Sequence, residues 1–133
     1  MIFDHRTYTI QPGKTNEYVK IFEEFAYPVA MKHGLNLVAY FVSKVGTLNQ
    51  VVHIWSYNDM MEFETLREQR DADPEWTRYR QKIAGMIVAQ EDKITEEDLS
   101  NSLRAQYESF KKAYTEAAKP DYIDLDKLSL IHI

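Results

Sequence analysis

Apolar and polar residues along this chain follow two periodicities, which predict strands and helices in turn. Residues from Ile2 to Ile10 alternate as in a β-strand, and Pro12 and Gly13 then end the pattern. Between Thr15 and Met31 the apolar residues recur at the spacing of a helix with one buried stripe. That stripe consists of Tyr18, Ile21, Phe22, Phe25 and Val29.

Pro28 lies inside this helical pattern, and Gly34 follows it. Proline has no amide hydrogen, and its ring clashes with the preceding turn. We therefore expect Pro28 to kink the last turn or to end the regular helix early. Glycine suits the left-handed conformation found after many helices, so Gly34 marks the predicted end.

Two further strands are predicted next, over Leu35–Val42 and Asn49–Tyr57, joined by a loop that contains Gly46. The second of them has no polar face. One side carries Val52 and Ile54, and the other side carries a larger mixed set of residues. That set is Val51, His53, Trp55 and Tyr57. Large aromatic rings together with one titratable ring are typical of a lined cavity or an interface, so both faces of this strand need cover.

Helix signals precede the last predicted strand. Asp59 and Glu62 have the spacing of a capping box, and Met60, Phe63 and Leu66 mark the expected inward side of the helix. A second start is predicted where Asp73 precedes Pro74, because Asp is a good N-cap and Pro suits the first helical position. Gly85 should end this helix. The final strand is predicted over Met86 to Ile94.

The order strand–helix–strand–strand–helix–strand predicts an α+β chain with the ferredoxin-like βαββαβ fold. Right-handed crossovers place both helices on one face of the sheet. We expect the first and third strands to be central neighbours, paired in parallel. Tyr8, Val51 and Trp55, with Tyr40 or Phe41, would then form an uncovered apolar patch of several hundred Å², which monomers rarely tolerate. A second copy packed sheet to sheet would cover it, and the C-terminal extension is the other candidate.

The pattern divides the chain into a domain over residues 1–94 and an extension over residues 95–133. Thr95 and Asp98 resemble a helix start, and Lys119-Pro120 would end that helix. Its apolar stripe is Leu99, Leu103, Tyr107, Phe110, Tyr114 and Ala117. Residues 121–133 are too apolar for a free tail. We expect the extension to pack on its own domain or on a neighbouring subunit, and the alternative is a helix that recruits a partner.

Composition removes several classes of function. The net charge of −5 disfavours nucleic acids and anionic membranes as partners. Cysteine is absent, which excludes disulfides, thiol catalysis and thiolate metal sites. No apolar run reaches the length of a membrane span, and the strand pattern begins at Ile2 without a leader segment. We therefore predict a cytoplasmic protein.

The candidate chemistry lies on the two central strands. Arg6, Tyr8, His53 and Trp55 should point toward the same uncovered side, and Asp4 shares their phase. Arg6 can bind a small anion or carboxylate through its planar fork. His53 is the candidate general acid or base, because modest shifts move its titration across neutral pH. The alternative is that Asp4 and Arg6 merely pair, while His53 donates to a backbone carbonyl at a dimer interface.

The predicted pocket also needs flat apolar walls and neighbouring polar groups. Tyr8 and Trp55 would supply the walls, and Tyr40 and Asp4 complete the predicted substrate-binding set. No metal site is predicted, because the four histidines have no ligand spacing. The alternating charges between Glu62 and Asp71 suit a solvated helix surface, and Met60 and Met61 suit core filling.

Three segments resemble the NIPSNAP family. They are Phe3–Lys14 (FDHRTYTIQPGK), Gly46–Tyr57 (GTLNQVVHIWSY) and Ala72–Trp76 (ADPEW), in the family's order within residues 1–94. The resemblance implies a dimeric α/β barrel in which two ferredoxin-like sheets face each other. Two departures stand in the first segment: His5 replaces an apolar residue on the expected helix-packed face, and Asp4 replaces Glu.

The wider superfamily includes cofactor-free monooxygenases, lactone isomerases, dehydratases and haem-handling proteins, so the fold alone assigns no activity. A lone His53 could ligate a haem iron as in some of these relatives, but no motif supports it, and no cofactor is expected.

Two hypotheses follow. The first is a homodimer that binds or converts a small hydrophobic or aromatic compound, carrying a carbonyl or acidic group, in a barrel pocket that lies between the helices and the exposed sheet or inside the barrel. Isomerisation or cofactor-independent oxygenation would use His53 to move a proton and Arg6 to hold developing negative charge. The second is a non-enzymatic assembly or scaffold module whose barrel interior is filled by side chains. Burying His and Arg as mere filler is costly, which favours the first hypothesis.

Overall fold

A computed structural model describes residues 1–97 and 101–117, without the side chains of residues 101, 102 and 117. The predicted α+β order is present. The elements are β1 (Ile2–Ile10), α1 (Thr15–Ile21), a π-helical turn (Phe22–Ala26), α2 (Tyr27–Lys32), β2 (Asn36–Val42), β3 (Gln50–Tyr57), α3 (Met60–Asp71), α4 (Pro74–Lys82), β4 (Ile87–Glu96) and α5 (Asn101–Ala117).

The four strands form one sheet in the order β2-β3-β1-β4, and β1 and β3 are central neighbours as predicted. Their predicted parallel pairing is wrong, because β1 pairs with β3 in antiparallel orientation. The hairpin between β2 and β3 reverses the chain direction, and β2 runs parallel to β1 after the helical crossover. A strand inserted between these two must therefore oppose both. In this register Arg6 lies directly opposite His53.

Burial alternates along β1, and the buried set contains the charged residues Asp4 and Arg6. Tyr8 packs against Tyr18 of α1, and His53 packs against Phe22 of the π-helical turn, so this side of the sheet is the one the helices cover. The predicted facing of Asp4, Arg6, Tyr8, His53 and Trp55 is therefore wrong. They do share one side, but it is the helix-covered side. The Asp4–Arg6 pair reverses the usual apolar-inside alternation from which the facing was inferred.

The opposite side of the sheet is called the open face below. The residues on it differ from those of the predicted apolar patch. Of the residues predicted to be exposed there, Tyr8, Tyr40, Val51 and Trp55 are buried, whereas Phe41, the alternative to Tyr40, does lie on the open face. The open face instead carries half-buried apolar and threonine side chains together with His5, whose Nε2 lies 2.9 Å from Thr95 Oγ1. Its apolar members are Phe3, Phe41, Val52 and Ile54.

The first helical segment is interrupted ahead of Pro28. The amide of Tyr27 donates to the carbonyl of Phe22, five residues earlier, which makes Phe22–Ala26 a π-helical turn. Pro28 has no amide hydrogen for the carbonyl of Glu24, and its ring would clash with that carbonyl in a regular helix. The wider turn relieves this conflict. The helix is thus interrupted rather than ended: α1 ends at Ile21, and α2 resumes at Tyr27 with Pro28 in its first turn.

Both predicted N-caps are present on the second helical segment. Asp59 Oδ1 accepts from the amide of Glu62 at 2.8 Å, and Asp73 Oδ1 accepts from the amide of Glu75 at 2.9 Å. Asp73 Oδ2 also accepts from Lys32 Nζ at 2.9 Å and lies 2.8 Å from His33 Nε2. These contacts hold the pKa of Asp73 below its ordinary value. They tie the end of α2 to the start of α4.

Two side-chain predictions on this segment are wrong. Met60 is 45% exposed and Met61 is 75% exposed, so neither fills the core. They lie in the first turn of α3, next to the cap. The inward stripe begins one turn later, at Phe63, whose ring meets Tyr57 edge-on at 5.1 Å.

β4 continues to Glu96, and Thr95 pairs with Phe3. The predicted helix start at Thr95 is therefore wrong, because pairing with β1 extends the strand. The predicted helix exists as α5, in which the Tyr107 ring meets Phe3 of the open face edge-on at 5.6 Å. Leu103 and Phe110 of its stripe are each 52% exposed. Leu99 and the apolar segment over residues 121–133 lie outside the described residues.

Within the described ranges, none of the helices combines the length and the apolar character needed to cross a membrane.

Candidate functional site

A cleft of about 380 Å³ lies between the helices and the covered side of the sheet. The sheet forms its floor, and the helices with the segment after α4 form its roof. The floor residues are Arg6, Tyr8, His53, Trp55, Ile87 and Gln90. The main roof residues are Tyr18, Phe22, Arg67, Arg70, Trp76 and Tyr79. Asp71 and Arg80 lie at the same cleft.

Arg6 is buried, with 8% of its surface exposed, and hydrogen bonds hold its side chain in one orientation. Its Nε donates to Asp4 Oδ2 at 2.8 Å, and its Nη1 donates to the hydroxyl of Tyr8 at 3.0 Å. Burial opposes the charge, but Tyr8 and Asp4 outweigh burial and raise the pKa of Arg6 above its ordinary value. Its Nη2 has no hydrogen-bond partner among the described residues. The nearest further carboxylate oxygen is Asp92 Oδ2, at 3.7 Å.

His53 is enclosed by aromatic rings. Its ring centre lies 5.0 Å from those of Tyr8, Phe22 and Tyr40. Trp55 Nε1 can only donate, and it lies 3.4 Å from His53 Nδ1, a long hydrogen bond that assigns the proton to Nε2. That Nε2 has no partner within the described part of the chain.

Burial, and then the positive charges of Arg6 and Arg70, lower the pKa of His53 to about 3. The imidazole is therefore neutral near pH 7, and its Nε2–H is a hydrogen-bond donor rather than a positive charge. At this pKa the ring is a weak base.

Arg67 and Arg70 of α3 also face the cleft, so the interpretation of this helix surface as simply solvated is wrong for both. Arg70 is buried and lies over the ring of Trp76, with Cζ 4.2 Å from the ring centre. Its Nη2 donates to Asp71 Oδ1 at 2.8 Å. Arg67 lies over the ring of Phe63, with Cζ 4.8 Å from the ring centre.

Among these three arginines, Arg67 has the charge that neighbouring groups balance least. Its Nε has no partner among the residues described. Burial first, and then the charges of Arg6 and Arg70, lower the pKa of Arg67. Three guanidinium groups are thus close enough to repel one another at one cleft.

A sequence signal for these two arginines exists. Phe63, Leu66, Arg67 and Arg70 occupy positions i, i+3, i+4 and i+7 of one helix, the spacing of a buried stripe. The charge of the arginines concealed their place on it. Long arginine side chains can lie along apolar and aromatic surface while the head group reaches a polar site.

The aromatic roof was likewise missing from the predicted site. Tyr18 and Phe22 were assigned to the core stripe, and Tyr79 and Trp76 lie on α4. The Tyr79 hydroxyl donates to the Tyr18 hydroxyl at 3.4 Å, and burial raises the pKa of both tyrosines. These rings enclose one side of the cleft with apolar surface.

The six predicted site residues divide into two groups. Arg6, Tyr8, His53 and Trp55 line the cleft. The other two lie behind this lining: Asp4 holds Arg6, and Tyr40 stacks on His53 with an interplanar angle of 15°. The structure thus brings the predicted set together and places Asp4 and Tyr40 in supporting positions.

The described residues contain no group of three or more His, Asp or Glu side chains that could hold a metal ion. Haem does not fit His53, because aromatic rings 5.0 Å away on several sides occupy the space that a macrocycle beside the imidazole would need. The cleft instead carries positive charge, since its lining among the described residues has four arginines, Arg6, Arg67, Arg70 and Arg80, against one aspartate, Asp71.

Comparison with known proteins gives a consistent assignment. Residues 3–97 match the NIPSNAP family. The chain is 31% identical over 97 residues to human Protein NipSnap homolog 3A, a match that covers 71% of this chain and 38% of that protein. The chain therefore corresponds to little more than a third of the length of this curated relative.

Solved structures agree. A NIPSNAP family protein from Agrobacterium tumefaciens is 32% identical, with a TM-score of 0.69 over 76% of this chain and 92% of that chain. A putative antibiotic biosynthesis monooxygenase from Nitrosomonas europaea has a TM-score of 0.57 over 75% of this chain and all of that chain. Its identity of 11% shows a shared fold and no more. From the match over residues 3–97, this chain belongs to the NIPSNAP family.

Proposed function

We propose that the chain binds a small anionic compound with an aromatic or apolar body in the cleft between its helices and its sheet. The observation that carries the proposal is a set of three donors that lack partners among the described residues: Arg6 Nη2, His53 Nε2 and Arg67 Nε. All three belong to residues that line the cleft.

The chemistry of these atoms determines the polarity of the ligand. Each atom is a donor, so a ligand that satisfies them must offer acceptors, and two of the three belong to cations. A buried donor without a partner costs about 1–3 kcal/mol. A ligand with acceptor oxygens would recover that free energy after a small side-chain shift, because the three atoms are also closed to solvent.

The walls determine the body of the ligand. Tyr8, Phe22, Trp76 and Tyr79 present ring faces and edges to the cleft, and such surfaces favour flat or apolar groups. Of the two predicted pocket positions, between the helices and the sheet or inside a barrel of two sheets, we propose the first. It lies within one chain, under the helices.

We also propose that the open face packs against a second copy of the chain. Its half-buried apolar residues, Phe3, Phe41, Val52 and Ile54, lie on the side of the sheet opposite the helices. A symmetric sheet-to-sheet contact would cover them, as in the dimeric barrel expected from the family resemblance. This homodimer would leave the cleft of each chain separate from the contact.

Conversion of the ligand, by isomerisation or cofactor-independent oxygenation, stays a prediction. Arg6 is placed to hold developing negative charge, since it is fixed by Asp4 and Tyr8 with Nη2 left over. A pKa of about 3 favours a hydrogen-bonding role for His53 over that of a general base near neutral pH. Binding therefore has stronger support than catalysis. The alternative of a scaffold whose barrel interior is filled by side chains concerns the space between two sheets, and the cleft of about 380 Å³ under the helices does not bear on it.

Intrinsic fluorescence tests the binding proposal directly, because both tryptophans of the chain, Trp55 and Trp76, line the cleft. Titration with benzoate should quench or shift their emission, whereas benzyl alcohol, which is uncharged, should do so far less. The double variant Asp4→Leu with Arg6→Met removes the cation without leaving an unpaired carboxylate. We expect it to weaken benzoate binding at least about tenfold, equivalent to ~1.4 kcal/mol.

The matched control is Arg78→Gln, an exposed arginine on α4 that does not line the cleft. It should bind benzoate as the unchanged chain does. Equal affinity of the double variant and the unchanged chain would reject Arg6 as the anion-binding group.

A further inference from the structure

We propose that the cleft prefers a doubly charged phosphate monoester on an aromatic or apolar body over a singly charged carboxylate. Arg67 is the residue that makes this distinction. The inference rests on the proposed function, since it specifies the head group that the same cleft takes.

Charge balance in the buried part of the cleft is the first argument. The guanidiniums of Arg6 and Arg70, which are buried, and of Arg67, which is half-buried, face one buried carboxylate, that of Asp4. The Asp71 and Asp92 side chains, which neighbour Arg70 and Arg6, are 50% and 40% exposed, so water screens their charges. With these two screened carboxylates left out, the remaining groups carry three positive charges less one negative charge, an excess of two. A monocarboxylate neutralises one of these and a phosphate monoester both.

The number of donors is the second argument. Three unpartnered donors, on Arg6, His53 and Arg67, serve one cleft. A phosphate group offers three terminal oxygens, whereas a carboxylate offers two. A phosphate can accept from all three donors through three separate oxygens, whereas a carboxylate must share one of its two oxygens between two donors.

The distribution of these donors over the fold is the third argument. Arg6 and His53 are cross-strand partners on the floor, so their donors belong to one rigid pair. Arg67 comes from the roof on α3, with its guanidinium over the ring of Phe63. Arg80, exposed and on α4, adds a cation to the same lining. An anion between floor and roof is contacted from two sides, by donors on β1, β3 and α3, which suits a tetrahedral group better than a planar one.

The test compares phenyl phosphate with benzoate, using tryptophan emission and calorimetry on the full chain between pH 5 and pH 7.5. The second pKa of a phosphate monoester is about 6. If the dianion is the bound form, the affinity for phenyl phosphate should rise about tenfold over this range, as the dianionic fraction rises. Benzoate stays singly charged throughout, so its affinity should change little, and it controls for titration of the protein.

Arg67→Gln should weaken phenyl phosphate binding at least about tenfold at pH 7.5, with much less effect on benzoate, which relies on Arg6. Arg80→Gln, a change at an exposed position, gives a second variant in case Arg67→Gln disturbs folding, which circular dichroism would detect. Arg78→Gln on α4 is the control and should change neither affinity.

Each result decides one question. Benzoate that binds as tightly as phenyl phosphate at pH 7.5, or an Arg67→Gln variant that weakens both probes equally, overturns the preference for a dianion and leaves the proposed function standing. If neither probe binds at millimolar concentration, the proposed function and this inference are both overturned.

Discussion

The buried ion pair of Asp4 and Arg6 is the central feature at the scale of single residues. The two side chains lie two positions apart on one face of β1, with 2.8 Å between Arg6 Nε and Asp4 Oδ2. Their desolvation is unfavourable, and only the pairing and the hydrogen bond to Tyr8 compensate for it. Such a pair contributes little to the free energy of unfolding. Its main effect is to place Arg6 Nη2 beside the cleft.

This leads to a stability prediction. Asp4→Leu alone leaves the Arg6 cation buried without its partner and should lower the free energy of unfolding by about 3–5 kcal/mol. The double variant Asp4→Leu with Arg6→Met should recover most of that loss, because no charge remains buried. Urea denaturation of the single and double variants measures both values. A double variant as unstable as the single variant would contradict this view of the pair.

His53 should make the free energy of unfolding depend on pH. Its pKa is about 3 in the folded chain and about 6.5 in an unfolded one. Below pH 6.5 the unfolded state binds a proton that the folded state does not, so the free energy of unfolding falls as pH decreases toward 3. The limiting slope from this residue is about 1.4 kcal/mol per pH unit.

His53→Gln should remove this slope while keeping a polar side chain at the position. The variant will be less stable than the unchanged chain at pH 7, and the difference should shrink at each lower pH down to pH 4. Urea denaturation at a series of pH values provides the measurement. A constant difference across the series would show that His53 titrates normally in the folded state.

At the scale of elements, α3 combines two roles on one helix. Its first turn is capped by Asp59, and its Glu62 Oε2 accepts from Asn58 Nδ2 at 2.7 Å. Two turns later, Arg67 and Arg70 face the cleft. The cap therefore helps to hold a helix whose far end supplies cations to the candidate site.

Removal of this cap should have a modest and local effect. Asp59→Ala should lower the free energy of unfolding by about 1 kcal/mol, whereas Asp59→Asn should remain close to the unchanged chain, because Asn also caps well. Thermal and urea denaturation of both variants give the comparison. If the two variants lose equal stability, charge at the helix start, rather than the hydrogen bond to Glu62, is responsible.

The π-helical turn is a second element that serves the site. It begins at Phe22, whose ring centre lies 5.0 Å from that of His53 and 6.3 Å from that of Trp55. Pro28 explains why the regular helix cannot continue through this region. The same irregular turn thus accommodates the proline and supplies a ring to the cleft.

At the scale of the whole molecule, the two sides of the sheet carry different features. The helix-covered side of the sheet holds the cleft, and the open face carries Phe3, Phe41, Val52 and Ile54. Within the described residues, α5 reaches the open face at Phe3 through Tyr107. The exposed Leu103 and Phe110 of α5 could extend a contact surface.

We expect light scattering after size-exclusion chromatography to give twice the mass of one chain. Ile54→Arg places a charge at the middle of the open face, opposite His5 of β1, and should shift the protein to the mass of one chain. The control Val45→Arg changes a loop residue that is 82% exposed and should leave the mass unchanged. A single-chain mass for the unchanged protein at micromolar concentration would reject the homodimer.

The predictions from sequence succeeded where a local rule applied. Asp59 and Asp73 cap helices, Ile2–Ile10 is a strand, and regular helical structure is interrupted just before Pro28, each because of the chemistry of a few adjacent residues. The strand assigned up to Ile94 continues to Glu96, because its partner β1 extends that far. Pairing with a distant strand is not visible in a local pattern.

The sequence by itself determined the order of the elements and the grouping of Arg6, Tyr8, His53 and Trp55 on one side of two adjacent strands. A period of two establishes which side chains share a face, but it does not say which face the helices cover. Apolar content usually decides that question, and here a buried ion pair reversed it. Only the tertiary structure placed these residues under the helices, since desolvated charge is tolerated when partners from the same and neighbouring strands compensate for it. The tertiary structure also brought Arg67 and Arg70 to the same cleft from a helix whose charge pattern had indicated a solvated surface.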